Sequence, residues 1–200
     1  MTADGKIPDV KLEVRAISPA LRDDFLRFFD RDAFPDNPAW ARCYCFFNHA
    51  PHDREDWEKR TAEHNRPASA ALIDQGGLTG YLAFADGRVV GWCNANLRAR
   101  YTTLDGDDAI DGARTGAIVC FVVAPAFRGK GVATRLLDAV CDGFARQGIT
   151  MVEAYPRNEA PTQAANYHGP LAMFLKAGFR QVREDGGVVV VRRELGRATS

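Results

Sequence analysis

The chain has 200 residues, of which 46% are hydrophobic and 26% are charged, a balance that suits one globular domain with a full core. Its 26 basic and 26 acidic residues give a formal net charge of zero, so it lacks the basic surplus that is usual in nucleic-acid-binding proteins. No apolar stretch reaches the roughly 18 residues needed to cross a bilayer, and the N-terminus lacks the basic and apolar blocks of a signal peptide. We therefore expect a cytoplasmic protein with neither nucleic-acid nor membrane partners, and the five cysteines are expected to be reduced.

The first part of the chain predicts a tail, a strand and a helix. Residues 1–9 have the composition of a flexible tail, and a single domain is expected over residues 10–196. Apolar residues nearly alternate at residues 10–17, which predicts an edge strand. Ser18 is then expected to cap a helix that has Pro19 at its first position.

The segment from Trp40 to Phe47 is dense in aromatic residues. Within and just after it stand four side chains of the types that zinc prefers, which are Cys43, Cys45, His49 and His52. Their spacing does not match the common structural zinc sites, because the usual two-residue interval between ligand cysteines is missing. We therefore assign no metal, and the plainer interpretation is a buried apolar strand followed by two exposed histidines.

The middle of the chain predicts helices, a hairpin and a polar loop. From residue 53 to about Gly76 the pattern is helical in two pieces, the second of which follows Pro67. Strands at residues 78–85 and 88–96 are joined by Asp-Gly, a strong hairpin signal. The loop at residues 98–114 is expected to be solvated, although its acidic side chains could attract a cation; they are Asp105, Asp107, Asp108 and Asp111.

The stretch that organises the chain begins with an unbroken, β-branched-rich apolar run at residues 118–124, which stops at Pro125. Such a run predicts a short strand that is buried on both faces. At residues 132–147 the apolar positions repeat about every fourth residue, which predicts a helix with one apolar face, ended by Gly148. A second apolar strand at residues 149–155 would complete a right-handed βαβ crossover.

Between the strand and the helix lies the turn Arg128-Gly129-Lys130-Gly131. Its two glycines leave no side chain in the way, so backbone N–H groups can point outward together at the positive end of the helix. An anion is expected to bind there, with Arg128 and Lys130 adding positive charge.

Two common phosphate-binding loops do not fit this turn. The nucleotide-triphosphate loop requires Ser or Thr after Gly-Lys, where this chain has Gly131, and the dinucleotide loop requires glycine where it has Thr134. The pattern that fits is Arg-x-x-Gly-x-Ala, formed by Arg128, Gly131 and Ala133 after a buried strand. On these residues the chain resembles the GNAT superfamily of N-acetyltransferases, in which this turn holds the pyrophosphate of acetyl-coenzyme A (acetyl-CoA).

The resemblance, which extends from about residue 78 to residue 195, implies an α/β (α+β) fold with a mixed, mostly antiparallel central sheet flanked by helices. It implies a βαβ acetyl-CoA-binding core at about residues 115–180, and a helical, aromatic acceptor-side segment at residues 38–76. A last helix is expected from Gly169-Pro170 to Gly178, before two final strands. The residues assigned to cofactor binding are Phe121, Val122, Val123, Arg128, Gly129, Lys130, Gly131, Val132, Ala133, Thr134 and Asn166.

Acetyl transfer to an amine requires the amine to be neutral, which at pH 7 costs about 4.6 kcal/mol for an amine with a pKa near 10.4. Many family members also have a tyrosine that protonates the leaving sulfur, four residues before the glycine that closes the last helix; this chain has Phe174 there. We predict Glu153 as the base and Tyr167 as the proton donor, with His168 as an alternative. Catalysis by placement alone, with the backbone amides of residues 122–123 polarising the carbonyl, also stays open.

Two functions follow from the resemblance. The first is an acetyl-CoA-dependent N-acetyltransferase that acts on a primary amine of a small molecule or protein by direct attack on the thioester, as a monomer or a homodimer. The second is a non-catalytic acyl-CoA-binding regulatory module, because Phe174 replaces the tyrosine. In the implied fold the segment between the first two strands covers the acceptor, so a third interpretation of the aromatic segment is an acceptor wall made by Trp40, Tyr44, Phe46 and Phe47.

Overall fold

The computed structural model of the chain describes residues 11–52, 56–104, 114–158 and 166–196. Its strands are β1 (Leu12–Ala16), β2 (Gly80–Ala85), β3 (Arg88–Leu97), β4 (Thr115–Val123), β5 (Met151–Ala154), β6 (Arg180–Asp185) and β7 (Val188–Glu194). Its α-helices are α1 (Arg22–Arg31), α2 (Ala62–Asp74), α3 (Val132–Arg146) and α4 (Leu171–Lys176). Short 3₁₀ turns lie at Pro19–Leu21, Pro38–Trp40, Phe47–His49, Trp57–Lys59, Arg98–Arg100 and Pro125–Phe127. The predicted tail and the four loop aspartates lie outside the described residues.

In the described part of the chain the strands form one seven-stranded sheet in the order β1-β2-β3-β4-β5-β7-β6. The neighbours β4 and β5 are parallel, and every other neighbouring pair is antiparallel. The parallel pair is joined through α3, since parallel strands need a crossover connection. The mixed, mostly antiparallel sheet flanked by helices is therefore confirmed.

Neighbouring strand residues alternate between the two faces of the sheet, as the two-residue period of a strand requires. On β2, Leu82 and Phe84 belong to one buried cluster, and Ala83 belongs to another. The first face is covered by α1, whose Phe25 ring meets Trp92 edge-on at 5.0 Å between centroids. The second face is covered by the apolar side of α3, which consists of Val132, Leu136, Leu137, Val140 and Phe144.

The strands β4 and β5 separate partway along their length. They pair from Thr115 with Met151 to Ile118 with Ala154, where β5 ends, while β4 continues to Val123. A shift in the β3–β4 register leaves Val119 as an extra residue, which is the geometry of a β-bulge. Beyond this point no strand of the described residues pairs with the edge of β4 that faced β5, and a cleft forms along it.

The structure corrects two predictions about where the helices begin. Ser18 is followed by the 3₁₀ turn and makes no side-chain capping hydrogen bond, so α1 begins only at Arg22. The second helix begins at Ala62 rather than after Pro67, which lies inside it. The preceding Thr61 starts this helix, because its backbone N–H donates to Nδ1 of His64 at 3.2 Å and closes a capping box.

The predicted strand from Trp40 to Phe47 is wrong. The segment consists of turns, and Tyr44 and Cys45 adopt left-handed backbone conformations with φ of 44° and 55°. Two of its carbonyl groups accept hydrogen bonds from side chains of α2 rather than from the backbone of a neighbouring strand. The Ser69 hydroxyl donates to the Tyr44 carbonyl at 2.8 Å, and the Asn65 amide donates to the Arg42 carbonyl at 2.8 Å.

Candidate active site

The predicted anion-binding turn immediately precedes α3. Gly129 and Gly131 both have left-handed backbones, with φ of 73° and 78°, and Gly131 is the residue before the first helical position. A Cβ atom added at either glycine would meet nothing within 4 Å. A ligand can therefore approach the turn backbone closely at the positive end of a 15-residue helix, which suits a pyrophosphate.

Arg128, beside this turn, is held by two partners. Its Nε donates to the Val123 carbonyl at 3.0 Å, and its guanidinium forms a two-point ion pair with Asp36, with Nη2 at 3.2 Å from Oδ1. The ion pair holds the pKa of Asp36 below its ordinary value. Sequence reasoning missed Asp36, which lies 92 residues from Arg128 in a proline-flanked turn. Lys130 instead places its Nζ 5.4 Å from the centre of the Phe127 ring.

The opened edge of β4 and the turn border one cleft of about 520 Å³, called here the glycine-turn cleft. Every predicted cofactor residue except Lys130 lines it, and so does Tyr167. The other lining residues, which the sequence did not assign to cofactor binding, are Phe34, Trp40, Phe127, Gly169, Pro170 and Met173.

The backbone amides of β4 alternate in direction along this cleft. The Ala124 N–H donates to the Val90 carbonyl of β3 at 3.0 Å, whereas the Phe121 N–H donates to the Tyr167 carbonyl at 2.6 Å on the opposite edge. By the two-residue period of a strand, the Val123 N–H points to the cleft and the Val122 N–H points to β3. Of the two amides predicted to polarise a carbonyl, only that of Val123 has the required direction.

A second cavity of about 280 Å³, called here the aromatic cavity, lies beside the glycine-turn cleft. The two share four lining residues, which are Phe34, Trp40, Val122 and Tyr167. The other residues that line the aromatic cavity are Phe29, Ala39, Arg42, Cys43, Cys45, Phe47, Asn48, Trp57, Glu58 and Cys120.

The aromatic segment contributes to this cavity only in part. Trp40 and Phe47 line it as predicted, but Tyr44 and Phe46 do not. Tyr44 is buried in the core, where its hydroxyl donates to Asp30 at 2.6 Å. Phe46 instead packs beneath the guanidinium of Arg60, at 4.7 Å from the ring centre.

Tyr167 occupies the boundary between the cleft and the cavity. Its ring meets Trp40 edge-on at 5.3 Å between centroids. Burial raises the pKa of Tyr167, while the charge of the Arg157 guanidinium acts in the opposite direction. Tyr167 therefore stays protonated near neutral pH. Sequence reasoning also missed Arg157.

Glu153 lines neither the glycine-turn cleft nor the aromatic cavity. Its side chain is fully buried, and Oε2 accepts from Nε of Arg192 at 2.6 Å, while Oε1 accepts from the Tyr155 hydroxyl at 2.5 Å and from Nε of Arg98 at 3.4 Å. Its role as a base stays a prediction, and this arrangement weighs against it, because proton uptake would disrupt a buried ion-pair network.

The two histidines near the site are neutral. Burial lowers the pKa of His49 and of His168 to about 4. Nδ1 of His168 lies 3.0 Å from the Val119 carbonyl, and the His49 ring packs against Tyr101 at 5.2 Å. Neither His49 nor His52 is exposed, which corrects the prediction of two exposed histidines. The described residues contain no group of three or more His, Cys, Asp or Glu side chains that could hold a metal ion.

The fold and the glycine-turn cleft define the class: the protein is an acetyl-CoA-dependent acyltransferase. A model of the acetyltransferase (GNAT) family matches residues 18–179, so the chain belongs to the GNAT family. A search of curated proteins finds no match. None of the helices in the described residues is long and apolar enough to cross a membrane.

Solved structures share the fold at low sequence identity. The PaiA N-acetyltransferase from Thermoplasma acidophilum, in complex with coenzyme A, is 16% identical, with a TM-score of 0.55 over 92% of this chain and 99% of its own. A GNAT-family acetyltransferase from Listeria monocytogenes is 16% identical, with a TM-score of 0.57 over 98% and 99% of the two chains. The ribosomal-protein-S18-alanine N-acetyltransferase from Escherichia coli is 10% identical, with a TM-score of 0.54 over 94% and 97%.

Proposed function

We propose that the protein transfers an acetyl group from acetyl-CoA to a primary amine of a small molecule or protein by direct attack on the thioester. The observation that carries this proposal is the meeting of the glycine-turn cleft and the aromatic cavity at Trp40, Val122 and Tyr167. An acyl donor along the cleft and an amine in the cavity would meet there. Acetylation of an amine is also the activity that the names of the PaiA and S18-alanine enzymes state.

The residues proposed to hold the cofactor fit its chemistry. The bare glycines of the turn and the start of α3 suit the pyrophosphate, with Arg128 beside them. The open edge of β4 and Asn166, which line the rest of the cleft, suit the amide-bearing arm. Acetyl-CoA, when bound, supplies the activated thioester. We propose residues 10–196 as a single domain, and we favour a cytoplasmic location because the described cysteines are all unpaired thiols.

Tyr167 and Val123 are proposed to act on the reacting groups. The Val123 N–H faces the cleft and can donate to a carbonyl oxygen, and the Tyr167 hydroxyl can donate a proton at the boundary of the two cavities. Glu58 is the one carboxylate among the described residues of the aromatic cavity, and it is paired with Arg42. We therefore propose that the amine enters the site neutral.

The test measures free-thiol release from acetyl-CoA with a panel of amines, alongside calorimetric binding of coenzyme A. Tyr167→Phe should keep coenzyme A binding and lower kcat roughly a hundredfold, the usual size of a lost proton donor. Tyr81→Phe is the matched control, because Tyr81 lies outside both cavities. Tight coenzyme A binding with no thiol release for any amine would refute this proposal and support the alternative, a non-catalytic regulatory module that binds acyl-CoA.

A further inference from the structure

We propose that the acceptor is a small aromatic primary amine that carries no second charge, with its ring in the aromatic cavity. This inference rests on the proposed function, and it narrows the acceptor from any amine to one chemical class. Three properties of the cavity carry it: the arrangement of its rings, the pairing of its charged side chains, and two neutral thiols.

The cavity is bordered by two edge-to-face ring pairs. Phe47 meets Trp57 at 5.0 Å between centroids, with the planes at 85°, and Trp40 meets Tyr167 at 5.3 Å, with the planes at 81°. Aromatic rings favour partners at such separations, so a ligand ring can join either pair. The volume of about 280 Å³ lies just below the roughly 300–1,000 Å³ of small-molecule sites. One ring with a short alkyl chain suits this size better than an extended chain.

The two charged residues of the cavity, Arg42 and Glu58, form an ion pair with each other. Arg42 donates to the backbone carbonyls of Glu58 and Arg60 at 2.9 and 2.8 Å, and to the Glu58 carboxylate at 3.0 Å. No other charged side chain is among the described lining residues. The carboxylate of an amino acid would meet the guanidinium of Arg42, which already donates its hydrogen bonds to protein groups. A polyamine would bring a second ammonium to a carboxylate that is paired and 82% exposed.

Two of the three thiols that line the cavity, Cys43 and Cys120, add polarisable but uncharged surface. Burial raises the pKa of Cys43 to about 12, and a hydrogen bond to Cys45 raises the pKa of Cys120. The pKa of Cys45 is lowered instead, because its burial is outweighed by hydrogen bonds to its sulfur, including one from the Asn94 amide at 3.2 Å. Neutral sulfur makes favourable contacts with aromatic ring edges and offers no ionic partner to a charged substituent. The surface is therefore selective for a ring and against a second charge.

Three probes separate the ring from the charge: 2-phenylethylamine has a ring alone, phenylalanine has a ring with a carboxylate, and putrescine has a second ammonium. Binding without acetyl-CoA is followed by tryptophan fluorescence, because Trp40 and Trp57 line the cavity and the third tryptophan, Trp92, lies buried in the core. Thiol release then gives kcat/KM for each amine. The variant is Phe47→Ala, whose side chain is 40% exposed, so that folding is preserved. Val182→Ala, at a 46% exposed position outside the cavity, is the control.

We expect 2-phenylethylamine to quench fluorescence saturably, and its kcat/KM to exceed that of putrescine by roughly tenfold or more, the worth of burying one ring. Its kcat/KM should also exceed that of phenylalanine, whose carboxylate would meet only the guanidinium of Arg42, which is already paired. Phe47→Ala should remove most of the advantage over putrescine, and Val182→Ala should leave kcat/KM for all three amines unchanged. Higher kcat/KM for putrescine or phenylalanine would overturn the inference while leaving acetyl transfer intact. Binding of 2-phenylethylamine without thiol release from any amine would instead refute the transferase and keep the cavity assignment.

Discussion

Replacing Gly131 with glutamate places a carboxylate at the proposed pyrophosphate seat. An added Cβ meets nothing within 4 Å, so no clash is introduced. The left-handed backbone, with φ of 78°, costs a non-glycine residue roughly 1–2 kcal/mol, which is small beside a typical stability of about 5–15 kcal/mol. A carboxylate about 5 Å from one phosphate charge is repelled by roughly 1–3 kcal/mol at effective dielectric constants of about 80 to 20. We therefore expect a folded protein that binds coenzyme A about 5- to 150-fold more weakly.

Calorimetric titration with coenzyme A measures this loss, and two variants separate its causes. Gly131→Ala introduces the backbone strain without the charge. Gly148→Glu introduces the same backbone strain and the same negative charge at the other end of α3, where φ is 75° and an added Cβ again meets nothing within 4 Å. Both controls should bind nearly as tightly as the unaltered protein. If Gly131→Glu is folded and binds within about threefold of Gly131→Ala, the pyrophosphate does not lie at this turn.

Two further predictions concern charges near the site. Asp36→Asn removes a carboxylate beside the turn and releases Arg128, so coenzyme A should bind several-fold more tightly at low salt in calorimetry; unchanged or weaker binding would refute competition between Asp36 and the ligand. Because the pKa values of His49 and His168 fall from 6.5 to about 4 on folding, the unfolded chain binds more protons between these values. Urea unfolding should therefore show stability lost as pH falls from about 7 to 5, by up to about 2 kcal/mol for each histidine. His168→Gln should remove the part of this pH-dependent loss that comes from His168. A free energy of unfolding that does not change with pH would contradict the burial of these rings.

The parts of the fold that the sequence predicts are those whose patterns are local. The apolar run at residues 118–124 corresponds to β4, and the helical repeat from Val132 corresponds to α3. Asp86 and Gly87 both have positive φ, at 49° and 75°, which is the conformation that a two-residue hairpin turn requires. In each case the residues that decide the structure lie within the segment itself.

The aromatic segment could not be predicted in this way, because its structure depends on distant partners. Its turns are stabilised by Asn65 and Ser69 of α2, and the Asn94 amide of β3 lies 3.4 Å from the Cys45 carbonyl. A run of aromatic and thiol side chains gives a strand-like pattern, and no local signal marks the left-handed backbone at Tyr44. The acceptor side of the site is therefore the part that sequence periodicity describes least well.

Local sequence patterns also could not locate the proposed proton donor. Counting back four residues from Gly178 places the family's tyrosine at Phe174, but spacing alone does not tell which face of a short helix meets the cleft. In the structure Phe174 is fully buried and packs against Phe179 at 5.2 Å, whereas Met173 of the same helix lines the cleft. Phe174 itself is not among the residues that line the cleft, although its ring lies 6.1 Å from that of Phe121, which does line it. Tyr167, which lines both cavities, therefore remains the proposed proton donor.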